Sequence, residues 1–407
     1  MAEYWYDSLR LAFGSHPYLS QWGGFAPFYK YYFLAPFFRM LYSDGHLSDA
    51  LSLIILSNLL LYGISSYVFY LMAQRLISNK AIALMALMFY AFSYLAVYVN
   101  ALVLPDSLAI SMEVISTGIV IMTTGAAWVL LAGLLLGIAI AAKPFFLLYG
   151  FIFMWYIFSK NDQGNRAWKV MIFTLALVMI PLMTLRDNYL ISNGKLKSLA
   201  AIGGSNFFQG WGRVGVIKSV SPEGNDSRIS PGALDEPNWR PFQVKEPWYH
   251  QGYFYRLGLG SILRDPGVLL EKIFWFKKFF WGILGPRLDY PWGAKQILPV
   301  AGGISYAMFV SLGLLCFFMK RGPDSRTLLF LYFLLASFFI FIYAFGLPER
   351  RYFLTIEFLV IALFFVTLDR MMGWYGVYKK EIWLYAFFLF SFFFCVPVMW
   401  QMYNKLF

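Results

Sequence analysis

Long apolar runs, almost free of charge, limit the fold of this chain more than any other feature. A transmembrane helix needs about 20 mostly apolar residues. Runs of this kind fall at 48–74, 81–102, 107–124, 126–142, 144–158, 168–185, 298–319, 327–347, 352–368 and 382–403. The composition agrees, with 60% hydrophobic and 13% charged residues and a mean hydropathy of +0.61. A soluble domain carries roughly 45–50% apolar and about 25% charged residues. In a bilayer each backbone polar group must be satisfied within its own segment, so such runs become helices. The expected fold is an all-α polytopic membrane protein.

Loop charges give the orientation. The pair 126–142 and 144–158 is short and broken at Lys143-Pro144, where proline stops the hydrogen-bond ladder. Read as a tight helical hairpin, it leaves ten spans, which place Arg75, Lys80, Lys160, Arg166, Lys169, Lys320, Arg321, Arg326, Arg370, Lys379 and Lys380 on one side. That side is cytoplasmic by the positive-inside rule; merging the pair into one helix would scatter these residues. Met1 then lies on the outer side with no signal peptide before it; the expectation is an eleventh span ahead of the present first one, the alternative an unconventional insertion of the first segment. The net charge of +12 follows largely from this flanking pattern, and nucleic acid is not an expected partner.

Four regions emerge. Residues 1–47 form a first outer loop whose aromatic stretch Tyr18 to Tyr42, interrupted by Pro27 and Pro36, suits helices lying along the interface. Residues 48–185 form an N-terminal bundle, 186–297 an outer-face segment and 298–407 a C-terminal bundle. The stretch 248–284 has amphipathic spacing and reads as one or two helices near the membrane surface. Cys316 and Cys395 lie in separate apolar runs and build neither a disulfide framework nor a CxxC site. Nucleotide-binding and HExxH signatures are absent, and His16, His46 and His250 lack metal spacing. Gly133, Gly137 and Ala141 form a small-residue stripe for helix packing.

Ionisable residues within or at the lip of a membrane mark candidate sites. Asp106 follows Pro105 at the outer start of a span, and Glu113 follows seven residues later on the same helix face, roughly 10 Å along the axis. A carboxylate in a first helical turn also complements the macrodipole, so Asp106 has a structural alternative that Glu113 lacks. Lys143, Arg186, Arg350 and Arg351 collect at outer helix ends, and Glu357 lies deeper. Snorkelling to headgroups would account for any one of these cations. Their collection opposite the positive-inside loops suits an anionic phosphate, for which arginine forks are well shaped.

The order of these features resembles the dolichyl-phosphate-mannose protein mannosyltransferase-like family of GT-C glycosyltransferases, which includes the aminoarabinose transferases of lipid A. Glu3-Tyr4, Gly14, Ala26-Pro27-Phe28-Tyr29 and Leu34-Ala35-Pro36 match that family's first outer loop. Asp106 falls on its second-loop acid, and Ala132-Gly133 through Gly137 to Lys143-Pro144 follows its "aGll.Gla.ltKp" pattern. Arg186, Asn188, Tyr189, Gly194, Gly203, Gly204, Asn206, Phe207 and Gly210 match its "RNy…G…s.ngG.nf..G" segment, and Arg350-Arg351-Tyr352 its late outer-loop arginine.

The resemblance implies a GT-C-type bundle that transfers a sugar, with inversion, from a polyprenyl-phosphate donor to a protein, lipid or glycan acceptor on the outer face. The family's essential aspartate precedes the matched Tyr, which puts it at or before Met1 here and leaves Glu3 and Asp7 as first-loop candidates beside Asp106. Lys143, Arg186, Asn188, Arg350, Arg351 and Tyr352 would hold the donor phosphate, with Tyr29, Glu113 and Glu357 as further pocket residues. A divalent metal beside Asp106 is compatible with this chemistry, although no ligand cluster calls for one. A bacterial inner membrane, with the site on its periplasmic face, suits a chain without a large soluble domain. Two other classes compete: a transporter or lipid flippase, and an inactive relative that binds a lipid-linked sugar without transferring it.

Overall fold

The structure, a computed structural model, describes residues 8–9, 12–13, 27–41, 47–160, 165–191, 194, 197–199, 207, 251–267, 325–345 and 354–374. The expected spans 298–319 and 382–403 lie outside the described residues, as does the stretch 268–284 of the expected surface helices. The described residues are helical, without strands. A π-helical turn, Tyr29–Leu34, runs into α1 (Ala35–Leu41). There follow α2 (Leu47–Leu76), α3 (Lys80–Ala91), α4 (Tyr94–Asn100), α5 (Pro105–Met122), α6 (Ala126–Ala142), a 3-10 turn at Pro144–Phe146, α7 (Leu147–Ser159) and α8 (Arg166–Ile191). Helix α9 (Gln251–Arg264) precedes α10 (Ser325–Phe345) and α11 (Leu354–Trp374).

Three helices, Ser48–Leu76, Pro105–Met122 and Arg166–Leu190, are long and apolar enough to cross a membrane. They differ in what covers them. Of the most apolar window of α5, 89% is buried inside the protein, against 28% for α2 and for α8. Helix α5 is therefore the axis of the bundle, wrapped by α2, α4, α6 and α11. Helices α2 and α8 instead expose Leu53, Leu56, Leu60, Ile64, Leu175, Met179, Leu182 and Met183. Apolar faces of that extent are covered by lipid in a membrane protein, whereas a soluble monomer rarely exposes them. The chain is an all-α membrane protein.

The chain reverses at Lys143, whose extended backbone (φ −142°, ψ 96°) precedes Pro144. At the far end of α7 the Lys160 side chain reaches the backbone of Thr123, just before α6 begins. The reversal matches the expected hairpin, but α8 packs between its arms and holds both. The glycine stripe explains the α6–α8 seam. A Cβ on Gly133 would stand 2.7 Å from the Phe173 carbonyl oxygen, and one on Gly137 2.7 Å from that of Leu177. Pro181 lies within α8; having no N–H, it leaves the Leu177 carbonyl, four residues back, without its helical donor. Gly137 packs its Cα against that freed oxygen, a close contact of the kind small residues permit between membrane helices.

One expected span is interrupted. The run 81–102 folds as α3 and α4, separated at Phe92-Ser93. Ser93 leaves helical geometry (φ −56°, ψ 118°) and its hydroxyl accepts the Ala96 amide at 3.3 Å, capping α4. No proline or glycine marks the break, so apolar periodicity reads straight through it.

Candidate functional site

The candidate site is built along one face of α5. Pro105 opens the helix with the fixed φ that suits a first turn. Asp106 follows, only 1% exposed, with Lys143 Nζ 2.9 Å from its Oδ1. Lys143 reaches it because α6 ends one residue earlier and the turn forced by Pro144 aims the side chain back across the neighbouring helix. The helix dipole adds positive potential at the same point. A carboxylate so placed is buried and oriented.

Glu113 stands about 10 Å further along the axis and turned by only about 20° from Asp106. It is completely buried, and neither of its oxygens has a hydrogen-bond partner among the described residues. Tyr149 of α7 and Tyr90 of α3 are both within electrostatic range of Glu113. Tyr90 is also in range of Glu357, near the start of α11, which accepts the Ser93 hydroxyl at 2.5 Å. The Tyr62 hydroxyl of α2 donates to the Tyr90 carbonyl. Asp106 and Lys143 thus pair at one end of α5, while Glu113 and Glu357 lie in the bundle within electrostatic range of Tyr90. Tyr90 and Tyr149 look like ordinary apolar-face aromatics in sequence; only their electrostatic proximity to buried carboxylates distinguishes them.

Other expected site residues take different positions. Arg186 is exposed on α8, while Asn188 is buried and donates from Nδ2 to the Ser198 and Leu199 carbonyls at 2.8 and 3.3 Å. Asn188 anchors the segment that follows α8. Between them Asp187 accepts the Tyr32 hydroxyl, which ties the first aromatic segment to the end of α8. Tyr29 is buried and stacked on Phe33 at 5.2 Å, and its neighbour Lys30 is fully buried as well. Lys30 was hidden by its setting in an aromatic run. Its burial follows from the π-helical turn, a geometry that recurs at functional sites. Glu3, Asp7, Arg350, Arg351 and Tyr352 lie outside the described residues.

Among the described residues no group of three His, Cys, Asp or Glu side chains could hold a metal ion. No protein-family model, no curated protein and no solved structure matches this chain significantly.

Proposed function

We propose that this protein is an integral-membrane glycosyltransferase of the GT-C kind, with ten or eleven spans. It moves a sugar from a polyprenyl-phosphate donor to an acceptor on the periplasmic or outer face. The observation that carries the reading is the Asp106–Lys143 pair at the mouth of the bundle. Inverting displacement needs a group to take the acceptor proton and a cation for the phosphate that leaves. A base acts within about 2.6–3.2 Å of the proton it removes, and a preorganised cation stabilises charge that develops on the leaving oxygen. Asp106 supplies the first group, and Lys143 orients it while offering its charge to an arriving phosphate. Arg350 and Arg351, which lie outside the described residues, are the further cations the resemblance offers for the phosphate, and the lipid-facing helices α2 and α8 give the polyprenyl chain its medium.

Membranes containing the protein should release polyprenyl phosphate from a polyprenyl-phosphate sugar. Asp106→Asn and Arg351→Ala should each reduce that release by about 100-fold or more. Unchanged release in both would sink the assignment. The side is tested separately with a cysteine at Thr124, in the exposed loop between α5 and α6. It should react with a membrane-impermeant maleimide only from the cytoplasmic side, and the opposite labelling would invert the topology.

One feature favours the transporter reading. Discontinuous helices beside buried charges are the usual framework for ion and substrate sites in transporters, and the α3–α4 break lies against Glu357. Uptake of a lipid-linked sugar into vesicles without its cleavage would favour that alternative.

A further inference from the structure

A short irregular connection delivers the chain to Asp106. Helix α4 ends at Asn100, and residues 101–104 lead into Pro105 at the start of α5. Backbone bonds fold this connection tightly. The Leu102 amide donates to the Val99 carbonyl at 3.1 Å, and the Leu104 amide donates to the Leu102 carbonyl at 3.0 Å. The second bond closes a three-residue γ-turn.

Each of the two accepting carbonyls takes a second donor from a side chain. Asn58 of α2, fully buried, donates from Nδ2 to the Leu102 oxygen at 3.1 Å. Ser107 of α5, 1% exposed, donates from its hydroxyl to the Val99 oxygen at 3.0 Å. Helix α2 packs against both α4 and α5, so the Asn58 amide reaches the connection from the side.

An asparagine bonded across membrane helices is ordinarily glue between them. Here the acceptor lies in neither helix but in the connection between α4 and α5. The Asn58 Oδ1 has no partner among the described residues, so the amide is committed to the Leu102 carbonyl. Asp106 is then bracketed. Pro105 before it has a fixed φ, and Ser107 after it is tethered to Val99. The Asp106 Oδ1 meets Lys143 Nζ at 2.9 Å, and a shift of the turn by about 1 Å would carry that contact beyond hydrogen-bonding range.

We propose that Asn58 and Ser107 are positioning residues, which fix the 101–104 connection from two helices and thereby hold the Asp106 carboxylate against Lys143. The effect on rate rests on the proposed sugar transfer; the effect on the ion pair does not.

The test uses the full-length protein in lipid nanodiscs. Reductive methylation of Lys143 is followed by peptide mass spectrometry, with Lys160 as internal reference, because an amine held by a carboxylate is shielded from the reagent. Asn58→Leu, which keeps the volume and removes the amide, should speed Lys143 modification by about tenfold or more. Ser107→Ala should act in the same direction, less strongly. In the polyprenyl-phosphate release assay Asn58→Leu should lower kcat by about 10–100-fold, more than it raises KM. Thr327→Val breaks the 2.8 Å bond between the Thr327 and Tyr156 hydroxyls. It controls for a general loss of packing and should leave Lys143 modification unchanged. Unchanged modification in both Asn58→Leu and Ser107→Ala would overturn the proposal, and so would an equal acceleration in Thr327→Val. Should Asn58→Leu fail to fold, Ser107→Ala decides. A wild-type protein that releases no polyprenyl phosphate would count against sugar transfer alone, and the labelling still judges the positioning.

Discussion

The two ends of the bundle use charge differently. At the end carrying Lys160, three charged side chains each hold a helix terminus. Lys160 Nζ donates to the carbonyls of Val120, Ile121 and Thr123 at 2.5, 3.1 and 3.0 Å, closing the C-terminus of α5. Asp369 accepts the Ser78 and Asn79 amides at 2.8 and 3.2 Å, closing the N-terminus of α3. Arg326 donates to the Ser159 carbonyl at 2.7 Å at the end of α7. Each sign matches the pole it meets. At the Asp106 end a carboxylate and an ammonium pair with each other, and a second carboxylate, Glu113, is buried deeper without a hydrogen-bond partner among the described residues. Charge used on backbone ends stabilises the fold; charge held against side chains in the interior remains available for chemistry.

The sharpest way to break this contrast is to neutralise one acid at each end. Asp106→Asn should lower polyprenyl-phosphate release by about 10²–10⁴-fold, the range ascribed to a general base. Asp369→Asn keeps an acceptor for the α3 amides and should leave the rate per folded molecule unchanged. Measuring both rates against the folded fraction separates the effects. Equal losses would mean that the two ends are not functionally distinct.

The next effect concerns packing. Gly137→Val places a branched side chain where a Cβ alone would lie 2.7 Å from the Leu177 oxygen. Helices α6 and α8 must separate, at a cost of about 1–3 kcal/mol, read as a lower denaturation midpoint. Gly63 of α2 has no atom within 4 Å of an added Cβ. Gly63→Ala should be neutral or stabilising by up to about 1 kcal/mol. A comparable loss at both positions would show that the seam does not depend on close backbone approach.

Much of this architecture was legible in the sequence because lipid enforces it. The apolar runs matched α2, α5, α6, α8, α10 and α11 closely, since their lengths are set by bilayer thickness and their ends by charges, Pro105 and Pro144. The axial role of α5 was less visible. Helices facing lipid and helices facing protein are both apolar, so hydropathy does not separate 89% burial from 28%. What marks α5 is its polar content, Asp106, Ser107, Ser111, Glu113, Ser116 and Thr117, all buried. The break at Ser93 has no sequence signature, because serine is common within membrane helices and its capping role depends on the Ala96 amide it meets. Asn188 enters the reading only through the family match, and its side-chain amide also donates to the Ser198 and Leu199 carbonyls, a contact that no local pattern announces.

Lys160→Met should have a smaller effect than the glycine replacement. It retains the apolar stem and removes the charge from three carbonyls, a loss of about 1–2 kcal/mol for a partly buried cation at a helix C-terminus. The rate per folded molecule should not change. A fall in rate at constant stability would place Lys160 in the chemistry and erase the contrast between the ends.

The smallest expected change, at Ser93, tests the contrast where its two halves meet. Ser93 caps α4 through the Ala96 amide and donates to Glu357, so one hydroxyl serves both a helix terminus and a buried carboxylate. If the cap dominates, Ser93→Ala costs about 1 kcal/mol, and the same loss appears in a Glu357→Gln background. If the carboxylate dominates, removing the donor strands an acceptor in the core. The two substitutions then couple by about 0.5–3 kcal/mol, the range for residues in contact. A double-mutant cycle on the denaturation midpoint distinguishes these outcomes. We expect coupling, because Glu357 is 6% exposed and its bond to Ser93 is short, at 2.5 Å, whereas the cap at 3.3 Å is the longer contact. Simple additivity would move Ser93 to the helix-capping class represented by Asp369, and leave Glu357 to be held by its other neighbours.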